Sequence, residues 1–181
     1  MFRRLVDGLR RWIATLALKL LVRRGQAATL SMRDCWLGVR SCLVCWPDDG
    51  VDAAAAETVL NRLRERFPEA RVTLLALPGV DVTLPSDASL TVIQVEKPQL
   101  NLLGLPVKPF REMLRGIGAD LAIDLAPSFN PLAGYICELS GARIKVGFAG
   151  PQGDLVYNYQ VAPGPGRSGI ERYQALARYI G

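Results

Sequence analysis

Carboxylates, and not histidines, are the side chains that could carry acid–base chemistry here, because the chain contains no histidine. Histidine is the commonest general base and a frequent metal ligand, so its absence disfavours most metal-dependent mechanisms. Asp48, Asp49 and Asp52 follow the first predicted strand, and Asp124 falls within a later one. A carboxylate can accept a proton from an attacking group. We therefore expect carboxylate chemistry if there is any, with no metal and no bound cofactor.

The cysteines form a C-x-x-C pair that we do not interpret as a metal or redox site. Cys42 and Cys45 lie within the apolar run Ser41–Trp46, which is typical of a strand. Residues three apart on a strand point to opposite faces of the sheet, so the two sulfurs cannot share a ligand or a disulfide easily. We predict buried, reduced thiols, as in a cytosolic protein.

Strand and helix patterns alternate with short links after residue 40, which is typical of α/β proteins. The apolar runs predict strands at 41–46, 71–77, 90–95, 121–125, 142–148 and 155–161, and helices at 52–67, 107–117, 131–139 and 170–180. We predict a Rossmann-like, mostly parallel sheet with helices on both faces. Ligands of such sheets bind beyond the carboxyl ends of the strands. The candidate loops are therefore 47–52, 126–130 and 149–154.

Residues 1–26 are predicted to form a basic amphipathic helix, joined by a connector (27–40) to the domain at 41–181. Residues 1–40 hold nine Lys or Arg against two acids, although the whole chain carries only +5. An apolar stripe recurs at three- and four-residue spacing, which indicates one helical face. Its members are Phe2, Leu5, Val6, Leu9, Trp12, Ile13, Leu16 and Leu20. Lys19 interrupts the apolar stretch, so we do not expect the helix to span a membrane.

Two interpretations of this helix remain open. It could lie in the interface of an anionic membrane with its apolar face down, or it could pack its stripe on the domain or on a partner. Nucleic acid is disfavoured because the arm lacks interleaved aromatic residues. The side chains expected to contact a membrane are Phe2, Arg3, Arg4, Leu5, Leu9, Arg10, Arg11, Trp12, Ile13 and Leu16.

Four segments in order carry a resemblance to a known family. They are Arg62-Leu-Arg-Glu-Arg-Phe-Pro-Glu-Ala-Arg-Val-Thr-Leu-Leu75, Ala119-Asp-Leu-Ala-Ile-Asp-Leu125, Gly141-Ala-Arg-Ile-Lys-Val-Gly-Phe148 and Glu171-Arg-Tyr173. In their order and spacing they resemble the family 9 glycosyltransferases, the ADP-heptose:lipopolysaccharide heptosyltransferases of bacteria. The resemblance covers residues 41–181. It implies the N-terminal lobe of a GT-B fold.

In that family the N-terminal half binds the sugar acceptor on a lipid A–core precursor, and the C-terminal half binds the nucleotide-sugar donor. The sequence stops after the last helix of the first half. The resemblance therefore implies an acceptor-binding domain that meets an ADP-sugar donor only through a C-terminal half, and that is inactive as this polypeptide alone. It also implies a cytoplasmic protein, peripheral on the inner membrane and acting in lipopolysaccharide biosynthesis.

The resemblance also suggests site residues. The family places a Gly-Asp after the first strand, and Asp52 falls on that aspartate, with Val51 in place of the glycine. Asp52 would then be the catalytic base, although an aspartate there also suits a helix N-cap. Asp49, Asp124, Ser128 and Asn130 are the candidate acceptor-binding residues.

A second hypothesis is a non-catalytic Rossmann-like module that kept the fold, associates with a membrane through its basic helix and binds a partner. The valine at position 51 favours this alternative. Asp48-Asp49 also suggests a receiver-like domain, but no lysine occupies the expected late-strand position.

Overall fold

The computed structural model describes residues 2–22, 36–47, 53–82, 84, 89–162 and 169–180, and for residues 2–11 it gives the helical backbone. Two predicted site residues, Asp49 and Asp52, lie outside the described residues. The same holds for the side chains of the predicted membrane contacts at positions 2–11. Ser128, Asn130 and Asp124 are described, as are Trp12, Ile13 and Leu16.

The core of the fold is a six-stranded sheet with the order β3-β2-β1-β4-β5-β6, and every neighbouring pair is parallel. The strands are β1 (Ser41–Cys45), β2 (Arg71–Ala76), β3 (Leu90–Gln94), β4 (Leu121–Asp124), β5 (Ile144–Phe148) and β6 (Tyr159–Val161). All residues of β1 and β4 are buried, because helices cover both faces of a parallel sheet. The predicted Rossmann-like α/β architecture is confirmed.

Helices lie on both faces of this sheet. They are α1 (Phe2–Val22), α2 (Ala53–Arg66), α3 (Lys108–Ile117), α4 (Pro131–Leu139) and α5 (Gly169–Ile180). One core cluster joins the sheet to α2 and α5, and a second joins it to α1, α3 and α4. Local sequence explains several boundaries. Asn130 caps α4, Pro131 begins it, and Gly118 ends α3 in the left-handed conformation.

One strand boundary was predicted wrongly. A strand was expected over 155–161, but β6 begins only at Tyr159, because Gly153–Leu155 forms a 3-10 turn. The part of this apolar run before β6 does not pair with β5, and its Tyr157 is buried against Gly147 of β5. Trp36, within the predicted connector, packs on the domain and is stacked on Phe67 at a 6.4 Å centroid separation.

The predicted N-terminal helix is present as α1, and it packs on the domain through a face that the apolar stripe does not include. Ala14 and Leu18 are buried, whereas Trp12, Leu16 and Leu20 are 64%, 45% and 55% exposed. At 100° per residue these two sets lie on opposite sides of the helix. The stripe therefore does not pack on the domain at these positions, and its packing on a partner or on a membrane stays a prediction.

At Gly134 the helix α4 is approached closely by α1. A Cβ atom at this glycine would lie 3.2 Å from Leu18 Cδ2 and 3.3 Å from both Phe129 Cζ and Val156 Cγ2. Small residues allow helices to approach, so Gly134 allows Leu18 to reach the core. Leu18 therefore packs beside the loop that precedes α4. No helix in the described part of the chain is long and apolar enough to cross a membrane.

Candidate functional site

The sheet order locates the candidate crevice between β1 and β4. The chain runs from β1 towards one edge of the sheet and from β4 towards the other, which makes this pair the topological switch point. Cys45 and Asp124 are register partners at the carboxyl ends of the two strands. The segment that links β1 to α2 contains Asp49 and Asp52, and the segment that links β4 to α4 contains Ser128 and Asn130. Ligands of doubly wound sheets bind at such a position.

Asp124 forms hydrogen bonds that support the 126–130 loop, which is called the candidate loop from here on. Its side chain is 2% exposed, Oδ1 accepts from the Ala126 N–H at 2.9 Å, and Oδ2 accepts from the Tyr157 hydroxyl. A buried carboxylate needs such donors, since an unpaired charge in the core is costly. The structure thus places Asp124 beneath the loop surface, where it fixes the backbone. The acceptor-binding role suggested for Asp124 by the sequence stays a prediction.

Ser128 and Asn130 occupy the loop that Asp124 fixes. Ser128 is exposed and makes no hydrogen bond with the described residues, whereas Asn130 is half-buried. Asn130 Oδ1 accepts from the backbone N–H of Leu132 at 2.9 Å and of Ala133 at 3.5 Å, which caps α4. The cap uses Oδ1 and leaves the Nδ2 amide as a donor. The loop therefore offers a hydroxyl and an amide to a ligand.

Two consecutive side chains of α5 hold the same loop from the other face of the sheet. Tyr173 donates its hydroxyl hydrogen to the Leu125 carbonyl at 2.7 Å, and Arg172 Nη1 donates to the Pro127 carbonyl at 2.5 Å. The Arg172 guanidinium also lies over the Phe148 ring, 5.6 Å from its centroid. Its Nε is buried and has no hydrogen-bond partner in the described part of the chain. The Glu171-Arg-Tyr173 motif is part of the family resemblance in the sequence, but the hydrogen bonds of Arg172 and Tyr173 to the loop were not predicted.

Tyr157, in the β5–β6 connection, contacts both Asp124 and Phe129 of the candidate site. Burial, together with the negative charge of Asp124, raises the pKa of this phenol well above its usual range, so the hydroxyl stays protonated and donates. The ring lies directly against Gly147 and packs edge-on to Phe129 of the candidate loop at 6.1 Å. Sequence reasoning missed Tyr157, because nothing in the run from 155 to 161 distinguishes a buried turn from a strand.

The thiols are buried on opposite sides of the sheet, as predicted. Cys42 belongs to the core cluster under α2 and α5, whereas Cys45 and Cys137 belong to the other, with their sulfurs 3.9 Å apart. Burial, and then the charge of Asp120, raises the pKa of Cys42 to about 12. The contact with Cys137, and then burial, raises the pKa of Cys45 well above its usual value. Nucleophilic sulfur requires the thiolate, so these thiols are inert.

Alkylation of the folded protein at about pH 8 is accordingly expected to leave Cys42, Cys45 and Cys137 unmodified, because all three side chains are buried, and because the raised pKa values of Cys42 and Cys45 keep those two thiols protonated. After unfolding without reductant, all four cysteines, including Cys35, should be labelled. Mass spectrometry of the peptides measures both states. A Cys42–Cys45 disulfide, or labelling of Cys45 before unfolding, would contradict the buried-strand placement.

One groove among the described residues lies away from this edge. A groove of about 500 Å³ is lined by Asn61, Phe67 and Ser89, near the amino ends of β2 and β3. It is therefore at the opposite edge of the sheet from Ser128. Within the described ranges, no three His, Cys, Asp or Glu side chains come together as metal ligands.

The fold has a solved counterpart. The structure of E. coli heptosyltransferase WaaC with ADP is similar to this chain, with a TM-score of 0.59 and 20% sequence identity. The similarity covers 78% of this chain and 47% of that chain, so this sequence spans about half the length of the enzyme. No protein-family model matches the sequence, and no curated protein matches it. The chain thus has the α/β fold of part of a heptosyltransferase.

Proposed function

We propose that this chain is the acceptor-binding domain of a glycosyltransferase that resembles the lipopolysaccharide core heptosyltransferases. The observation that carries the proposal is the candidate loop at the β1–β4 switch point, within a fold similar to about half of such an enzyme. In this proposal the loop binds a sugar of a lipid A–core type acceptor. A second α/β half would bind the ADP-sugar donor, and this 181-residue polypeptide would be inactive without it.

The polar groups of the loop suit a sugar or phosphate ligand. The Ser128 hydroxyl can donate or accept, and the Asn130 Nδ2 amide can donate to a sugar hydroxyl or phosphate oxygen. Asp124, Arg172 and Tyr173 hold the loop backbone through three hydrogen bonds, so a ligand would meet an ordered loop. An ordered site binds with a smaller entropic cost.

Asp52 would be the general base of the assembled enzyme, and Asp49 a nearby acceptor contact. Both belong to the segment between β1 and α2, which adjoins the candidate loop in sheet order. A carboxylate there could take the acceptor proton as the hydroxyl attacks the anomeric carbon of the donor. The same aspartate could cap α2, and the two roles are compatible.

Acceptor binding tests the loop directly. Titration calorimetry with a phosphorylated lipid A–core oligosaccharide should give saturable binding to the wild type. We expect Ser128→Ala to weaken it by about five- to tenfold, which is the loss of about one hydrogen bond. Asn61→Ala, in the groove at the opposite edge, is the matched control and should bind like the wild type. Equal binding by Ser128→Ala would exclude the loop from the site.

We also propose that α1 holds the domain at the inner face of the membrane. The outward residues Trp12, Leu16 and Leu20 form an exposed apolar stripe, and residues 1–40 supply an excess of seven positive charges. Apolar insertion and attraction to anionic lipid act together in such helices. Packing of Leu18 beside Gly134 would keep the stripe at a fixed position relative to the candidate loop.

Flotation with vesicles containing phosphatidylglycerol should recover the wild type in the lipid fraction. We expect Trp12→Ser/Leu16→Ser to lower the recovery by about tenfold or more, since each partly inserted side chain contributes about 1 kcal/mol. Glu57→Ser, an exposed position on α2, is the control. Equal flotation of the stripe variant and the wild type would refute the membrane role of α1.

The alternative function is a non-catalytic Rossmann-like module that associates with the membrane and binds a partner. The internal bonding of Asp124 and Asn130 favours it, because both side chains serve the loop structure. Absence of acceptor binding combined with vesicle binding would support this alternative over the acceptor-binding domain.

A further inference from the structure

The connection between β3 and α3 ends in a leucine tip that nothing in the described domain covers. Leu102 is 87% exposed and Leu103 is 39% exposed, whereas Leu100 and Leu105 at the base of the loop pack on the core cluster of α1, α3 and α4. Single exposed leucines are common, but a pair at the tip of a protruding loop is an apolar surface that favours a contact.

Hydrogen bonds hold this tip in one conformation. The Asn101 side-chain oxygen accepts from the N–H groups of Leu103 at 2.9 Å and Leu105 at 3.1 Å. The Asn101 N–H donates to the Leu105 carbonyl, and Leu100 forms an antiparallel bridge with Pro106. The leucines are therefore presented at little entropic cost on binding.

The leucine tip lies on the same side of the sheet as α1 and at the same edge of the sheet as the 126–130 loop. The base of the loop packs on the same core cluster as Leu18 of α1, so the loop and α1 lie on the same side of the sheet. Because the loop follows β3 in a parallel sheet, it also lies at the carboxyl edge, as the 126–130 loop does.

We propose that Leu102 and Leu103 insert into the same bilayer surface as α1, as a second membrane contact of the domain. This inference rests on the membrane part of the proposed function. A protruding pair of leucines suits the soft acyl boundary of a bilayer. Lys97 at the base is exposed, and Lys108 lies 3.9 Å from Glu112 in an exposed pair that contributes little. The loop thus supplies apolar area, and the N-terminal arm supplies the charge.

Two separated contacts would fix the orientation of the domain, whereas one helix leaves it free to rotate about the helix axis. With α1 and the tip both inserted, the face of the sheet that α1 covers would lie on the lipid surface, and the tip would hold the carboxyl edge close to it. The substrate class that can reach Ser128 would then be sugars attached to membrane-embedded lipids, in preference to free sugars.

Vesicle flotation of Leu102→Ser/Leu103→Ser, at low and high salt, tests this contact. We expect the partition coefficient into phosphatidylglycerol-containing vesicles to fall about tenfold, because two leucine side chains are no longer buried in the bilayer. The same factor is expected at low and high salt, because salt screens charges and does not weaken apolar burial. The matched control is Leu37→Ser, since Leu37 is 67% exposed but precedes β1, at the opposite edge of the sheet. That variant should stay within about twofold of the wild type.

Equal flotation of the loop variant and the wild type would overturn the second contact and leave the α1 contact standing. Failure of the wild type to float would overturn both membrane contacts, while the calorimetric test of acceptor binding would stay independent. A concentration-dependent dimer, lost in the loop variant on gel filtration, would assign the tip to a second copy of the chain and also overturn the proposal. Urea unfolding of both variants should match the wild type, because the substituted side chains are exposed.

Discussion

Alanine in place of Gly147 is expected to lower the free energy of unfolding by about 3–5 kcal/mol, a large part of the stability of a domain of this size. The added Cβ would lie 2.5 Å from the Cδ2 and Cε2 atoms of Tyr157. That ring cannot move aside freely, because it is buried and its hydroxyl donates to Asp124. Relief of the clash would therefore break a buried hydrogen bond. Urea unfolding measures the change.

Gly150→Ala is the matched control, since a Cβ at Gly150 meets nothing within 4 Å. Its effect should stay within about 0.5 kcal/mol. In a Tyr157→Ala background, Gly147→Ala should cost little further stability, because the clash partner is gone. A loss below about 1 kcal/mol for Gly147→Ala would show that the β5–β6 connection is looser than the structure indicates.

The purified 181-residue polypeptide is expected to transfer no sugar from ADP-heptose to a lipid A–core acceptor. Glycosyl transfer requires an activated donor held against the acceptor, and positioning of this kind can supply about 7–11 kcal/mol of rate acceleration. In the proposed function the donor belongs to a second α/β half. Even an intact Asp52 would then face an acceptor with no leaving group in reach.

A radiolabelled transfer assay measures this, with a complete heptosyltransferase as the positive control for the substrates. Asp52→Ala should be as inactive as the wild-type polypeptide. Turnover by the polypeptide alone that Asp52→Ala abolishes would show a self-sufficient enzyme and would overturn the assignment of the donor to another half.

The centre of the sheet was predictable because β1 and β4 are buried on both faces. The run Cys42–Cys45 is apolar throughout, which is typical of a central parallel strand. Gly118 and Pro131 then allowed two helix boundaries to be predicted, since Gly118 ends α3 and Pro131 begins α4. The β1–β4 crevice follows from the resulting order of strands, so the position of the candidate loop could be inferred as well.

Contacts between distant segments were not predictable. Tyr157 and Asp124 meet 33 residues apart, and Tyr173 reaches Leu125 across 48. Hydrophobic periodicity carries no information about such pairs. The side of the N-terminal helix that packs on the domain was not predictable either, because residues on both of its sides are apolar. Only the structure shows that Leu18 is covered by α4 while Trp12 is not.

The location of the acceptor site is the central claim, and ligand mapping on the amide correlation spectrum of isotope-labelled protein tests it most directly. Titration with a phosphorylated lipid A–core oligosaccharide should shift amides of 126–130 and of the 48–52 segment, while residues of the groove around Asn61 and Ser89 stay unchanged. Titration with ADP should shift neither group. Shifts confined to the opposite edge, or saturable binding of ADP at the β1–β4 crevice, would contradict the assignment of this chain as an acceptor-binding domain.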